Sequence, residues 1–147
     1  MHEAAEIRSI LVADDFSDNA SKALDLAADL ARRYGAALTI LHVYTTPGIE
    51  LPTGFVPWEH ELARVLRAVG EALERHQARA LAAGAPHVRT EAIDGHPYEA
   101  IMNAVEAAPH DLLVMGYQGR SDLRRMLIGS VTEKVLRAAP CSILTVR

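Results

Sequence analysis

The 147-residue chain contains one cysteine, Cys141, so no disulfide can close within it, and this favours a reducing compartment. Lysine is nearly missing, with two against 13 arginines, a bias that reads as genome composition rather than function. No apolar run approaches the roughly 18–20 residues that cross a bilayer. The opening "MHEAAEIRSILVADD" places acids before a short apolar run, unlike a signal peptide. Net charge is −4 with no block of either sign, so a nucleic-acid surface is not expected. There is no GK[ST] phosphate loop and no GxGxxG after the first apolar run. No Ser-His-Asp or Cys-His arrangement stands out, and the seven histidines show no ligand spacing. These absences predict a cytoplasmic globular domain over residues 1–147, with no catalytic residues and no built-in metal site.

Five apolar, β-rich runs are present instead: 7–13, 37–43, 87–93, 111–116 and 141–147. Each reads as a buried strand. Helical spacing separates them, over about 20–34, 59–83, 97–107 and 130–137, with Gly35 and Gly84 as C-terminal caps and Pro97 in a first turn. The segment 44–58, with three prolines and two glycines, reads as a loop. Alternating strands and helices predict an α/β fold, a doubly wound open parallel five-stranded sheet with helices on both faces.

Ligands of such sheets sit beyond the carboxyl ends of the strands. There the sequence puts Asp14 and Asp15, then His42 and Val43, then "DGHP" at 94–97, and finally "GYQGRSDLRRMLIGS" at 116–130. Glycine backbone can turn N–H groups onto an anion. Gly129-Ser130 opens a helix whose dipole points the same way, and Arg120, Arg124 and Arg125 add positive charge. Asp15 could accept from an amine or a ribose hydroxyl, and the Val43 backbone could meet a ring edge. The same "SVTE" at 130–133 is equally a capping box, Gly116 could be only a turn, and the arginines only a solvated face. His96 has the best histidine claim on a ligand. His42, His76 and Cys141 read as packed or half-buried, and one of Asp14 and Asp15 as solvent-facing.

The run G116-YQ-G119-RSDLRRMLI-G129-S130 resembles the G-x2-G-x9-G-[ST] pattern of the ATP-binding branch of the universal stress proteins. "ILVADDFSDNASKALDLAADLARRYGAALTILHV" and "DLLVMGYQG…GSVTEKVLRAAPCSILTV" extend the resemblance over the whole chain. It implies strand order 3-2-1-4-5 and a stress-response or growth-arrest regulator that senses ATP, or ADP or AMP, with Mg2+ or Mn2+ held by the phosphates and at most slow hydrolysis. Carried over by position, Ala13, Asp14, Asp15 and Val43 would hold base and ribose. Met115, Gly116, Gly119, Arg120, Gly129 and Ser130 would line ribose and phosphates, with helix-start N–H groups from Val131 and Thr132. Gln118 stands where many members have histidine, and the doubled acid also departs from the pattern. An inward Asp14 would repel phosphates or recruit a divalent cation. The resemblance implies a dimer, and the apolar, β-prone run Cys141–Arg147, an edge strand in that sheet order, is the expected homodimer interface, unless the 44–58 loop covers this edge and leaves a monomer. The alternative is a nucleotide-independent dimeric module acting through a protein partner.

Overall fold

In the computed structural model, residues 6–119 and 127–147 are described. The parallel strands are β1 (Ser9–Ala13), β2 (Ala37–Tyr44), β5 (His87–Asp94), β6 (Leu112–Gly116) and β7 (Ser142–Val146). They form one sheet in the order β5-β2-β1-β6-β7, which is 3-2-1-4-5 once the two strands of an intervening hairpin are set aside. Helices α1 (Asp18–Tyr34), α2 (Glu59–Ala82), α3 (Pro97–Ala107) and α4 (Ser130–Ala138) connect them.

Strand alternation explains why both sheet faces are covered. Ile10, Val12, Leu38, Ile40 and Val114 pack on one side with α1 and α2. Leu11, Leu41, Leu113 and Met115 pack on the other with α3 and α4. All are essentially inaccessible, and truncating any of the larger ones to alanine would cost about 2–5 kcal/mol. The buried stripe of α1 is mostly alanine (Ala20, Ala23, Ala27, Ala28 and Ala31), which brings this helix close to the sheet. Ser17 caps its start, accepting from the Ala20 N–H at 3.2 Å. Gly35 closes it in the left-handed conformation, φ 66°.

The expected loop at 44–58 is a correction. It contains an antiparallel hairpin, β3 (Gly48–Leu51) and β4 (Gly54–Pro57), pairing Ile49 with Val56 and Glu50 with Phe55. The breaker residues misled because each has a local use. Gly54, at φ 120°, sits at the reversal, and Pro57 lies at a strand end. Gly48 lets the Phe55 ring lie across it, since a Cβ there would stand 2.3 Å from Cζ. The hairpin nonetheless adds nothing to the core, because Ile49, Leu51, Phe55 and Val56 remain exposed. Two smaller differences concern helix ends: α2 is capped by Ala83 rather than Gly84, and "SVTE" forms no side-chain cap.

Candidate functional site

Strand order reverses around β1, whose neighbours β2 and β6 lead away to opposite edges. A cleft of about 210 Å³ opens beyond the carboxyl ends of these three strands. Ala13 is in register with Leu41 on one side and with Met115 on the other, so the three form a continuous apolar floor. Val43 extends it, since β2 runs three residues past the partner of Ala13. Pro97 and Ile101 of α3 close one wall. Gly116, Gln118 and Gly119 form a rim together with Gly129–Thr132 at the start of α4.

The chain between β1 and α1 divides the two acids. Asp14 is buried, at 2 % exposure. Its Oδ1 accepts from the Phe16 N–H at 2.9 Å, and its Oδ2 from His76 Nδ1 on α2. Its backbone donates to the Leu41 carbonyl at 2.8 Å and accepts from His42 Nδ1 at 2.7 Å. Asp14 thus borders the cleft, but its carboxylate is engaged by the α1–α2 layer. Asp15 is half-buried. Its Oδ1 accepts from the Ser17 N–H at 3.0 Å, and its Oδ2 would lie 2.6 Å from a Cβ on Gly119. The absence of a side chain at 119 is therefore what admits this carboxylate.

The other rim is stitched at both ends. Gly129 N–H donates to the Tyr117 carbonyl at 2.8 Å, and Gln118 Nε2 donates to the Leu127 carbonyl. Thr132 Oγ1 donates to the Gly116 carbonyl at 3.0 Å, so its hydroxyl is taken and its contribution to the cleft is backbone. Gly116 is needed for packing: a Cβ would come within 3.0 Å of Asn19 Cβ and 3.1 Å of the Asn19 carbonyl carbon. Gly129 has φ −63°, so its backbone does not demand glycine. As N-cap it makes no side-chain bond to the helix. The first-turn amides of α4 have no intrahelical acceptors and, with the exposed Ser130 hydroxyl, face the cleft at the positive end of the dipole.

The cleft gathers Ala13, Asp14, Asp15, Val43, Met115, Gly116, Gly119, Gly129, Ser130, Val131 and Thr132. Arg120, with Arg124 and Arg125, lies outside the described residues. Leu41, Pro97 and Ile101 also line the cleft and were missed as site residues, reading only as core or helix start. The usable signal was position: Leu41 is level with the end of β1, and Pro97 begins the helix after β5. His96 is exposed and does not line the cleft. Cys141 is partly buried against the α3–α4 core just before β7, and that burial raises its thiol pKa. Among the described residues no group of three or more His, Cys, Asp or Glu could hold a metal ion, and no helix is long and apolar enough to cross a membrane.

Residues 6–147 match the family model described as the universal stress protein family. The chain is 36 % identical over 141 residues to a Thermus aquaticus protein described as a universal stress protein in the QAH/OAS sulfhydrylase 3′ region, covering 95 % of this chain and 98 % of that one. It is also 36 % identical over 151 residues to universal stress protein YxiE of Bacillus subtilis, covering 94 % and 97 %. Among solved structures it is similar to universal stress protein UspA of Lactobacillus plantarum, at TM-score 0.84 and 30 % identity, covering 97 % and 99 %. A universal stress protein crystallised in complex with cAMP is similar at TM-score 0.76 and 26 % identity, covering 97 % and 98 %.

Proposed function

This chain belongs to the universal stress protein family, and from that premise we propose that it binds an adenine nucleotide, ATP foremost and ADP or AMP besides, in the cleft beyond β1, β2 and β6. Its role is then that of a cytoplasmic regulator in stress or growth arrest whose state follows nucleotide occupancy. The observation that carries this reading is that Asp15 and the α4 N-terminus line one cleft with an apolar floor. A purine suits Ala13, Leu41, Val43, Met115 and Ile101. A ribose hydroxyl suits the Asp15 carboxylate, and phosphates suit amides at a helix start. The cAMP complex of a similar protein supports an adenine nucleotide as the ligand class. Mg2+ or Mn2+ would arrive with the phosphates.

Hydrolysis is at most slow on this reading. The Gln118 amide is engaged by the loop and has no capacity to take a proton from water at neutral pH. A phosphate-release rate near the enzyme median of about 10 per second contradicts it. The direct test is calorimetric titration with ATP. Wild type binds, and Gly129→Val loses at least about 100-fold in affinity, equivalent to about 2.7 kcal/mol, while remaining folded. The reason is bulk at the helix mouth, not backbone strain, since φ there is negative. Unchanged affinity in this variant removes the α4 start from the site.

A homodimer through β7 completes the proposal. β7 is an edge strand with little side-chain charge, and edges of that kind invite pairing. The Val146 carbonyl accepts from the Tyr117 N–H at 2.7 Å, so Val146 and Leu144 turn their backbone toward β6. Ile143 and Thr145 turn outward. Proline at Leu144 would therefore break the sheet itself, whereas Thr145→Pro removes an outward donor and spares the fold. By light scattering wild type has twice the 16.0 kDa chain mass, and Thr145→Pro shifts toward one chain; a wild-type monomer defeats the dimer. The second reading, a nucleotide-independent interaction module, draws on the exposed Phe55, Val56 and Trp58. It gains if wild type fails to bind nucleotide.

A further inference from the structure

Asp14 and His76 lie 62 residues apart in sequence and meet where Asp14 borders the cleft. Phe16, two residues after Asp14, has φ 63° and is the one described non-glycine residue at positive φ. A bulky aromatic residue rarely adopts this conformation, so something must hold it. Its N–H is taken by Asp14 Oδ1 at 2.9 Å. Its ring stacks on His42, with centroids 3.9 Å apart and planes 10° from parallel, and meets His76 edge-on at 5.2 Å and 82°. His42 in turn binds the Asp14 carbonyl, and His76 binds the Asp14 carboxylate. With Asp14 Oδ2 as the acceptor, His76 Nδ1 is the donor of this contact.

We propose that the buried Asp14–His76 pair is a positioning device for nucleotide binding: it locks Phe16 in the left-handed conformation and thereby aims the intervening Asp15 carboxylate at the cleft. The inference rests on the nucleotide reading above. The reversal at Phe16 is what lets consecutive acids serve opposite sides. Asp14 enters the layer of α1 and α2, and Asp15 stays level with Gly119. Without the donor on α2, one Asp14 oxygen loses its partner in a dry environment. The carboxylate then turns toward water or another donor, and its grip on the Phe16 N–H is released. His76 thus acts on the ligand through Asp14, Phe16 and Asp15 and touches none of it.

The test compares His76→Leu, which keeps apolar volume and deletes the donor, with His76→Asn, whose amide can place a donor where Nδ1 stood. ATP affinity is measured by calorimetry and folding by thermal unfolding. His76→Leu weakens ATP about tenfold, the scale of one hydrogen bond to a charged group. His76→Asn recovers most of that loss although its melting temperature is no higher than that of His76→Leu. Affinity that follows melting temperature across the two variants, or a His76→Leu protein that binds like wild type, reduces the pair to packing and overturns the proposal. If His76→Leu does not fold, Asp14→Ala carries the test, since it removes the acceptor for Phe16 without stranding a buried charge. It also weakens ATP about tenfold, and wild-type affinity there overturns the proposal. A wild-type protein that binds no ATP is a different result: the nucleotide reading itself fails, and this inference with it.

Discussion

Two connections leave the same edge of the sheet and could hardly be less alike. From β1 to α1 the chain takes four residues, 14–17, and from β2 to α2 it takes fourteen, 45–58. In the short connection every residue is buried or half-buried. Asp14 alone is bonded to Leu41, His42, Phe16 and His76. The long one forms a two-stranded ribbon whose apolar side chains, Ile49, Leu51, Phe55 and Val56, stand in the open. Its clearest tie to the sheet is Thr46, which donates from N and Oγ1 to the Asp94 carboxylate at 2.9 and 2.7 Å. The contrast teaches that burial at a sheet edge goes with polar groups tied to several elements, while apolar residues in regular strands stay exposed when nothing covers them.

Within this contrast the largest effect is expected where Gly119, in the segment after β6, meets Asp15 of the short connection. Gly119→Ala sets a methyl group 2.6 Å from Asp15 Oδ2, and the side-chain end yields more easily than backbone. Stability then changes little while ATP affinity falls about tenfold, or about 1.4 kcal/mol. Calorimetry beside a urea melt separates the two, and equal affinity would mean that the position of Asp15 does not matter.

A smaller effect belongs to the anchor of the long connection. The Thr46 side chain and then its backbone N–H hold the Asp94 carboxyl below the usual carboxylate range. A folded-state pKa below the unfolded one contributes stability above the unfolded value, near 4. That stability is lost as pH falls through the folded value. Asp94→Asn therefore melts slightly below wild type at neutral pH, and the gap closes on strong acidification. A gap that is constant with pH would assign it to something other than this carboxylate.

The smallest effect is expected on the ribbon. Phe55→Ser and Trp58→Ser each change stability by no more than about 0.5 kcal/mol and leave ATP affinity untouched. A shift in affinity would couple ribbon and cleft and so erase the difference between the two connections.

Much of this protein was legible in its residues. Five apolar runs separated by helical spacing determined the order of elements and the parallel sheet, because strands buried on both faces must be apolar throughout. The sequence also put Asp14, Asp15, Val43, Gly116 and Gly119 at or just beyond the carboxyl ends of strands and Gly129 at a helix start, and these residues line the cleft. The ribbon was not legible: glycine and proline report local backbone preference, and pairing such as Ile49 with Val56 depends on two segments meeting. Nor could the residues say why each glycine stands where it does. Gly116 answers to Asn19 and Gly119 to Asp15, while Gly129 has an ordinary φ. The two adjacent acids are the clearest case of what only the tertiary structure decided. Sequence singled out Asp15 but left the place of Asp14 open, and a histidine 62 residues away on α2 takes the Asp14 carboxylate. A buried carboxylate persists only where donors reach it, and the packing of distant elements alone determines which of the two they reach.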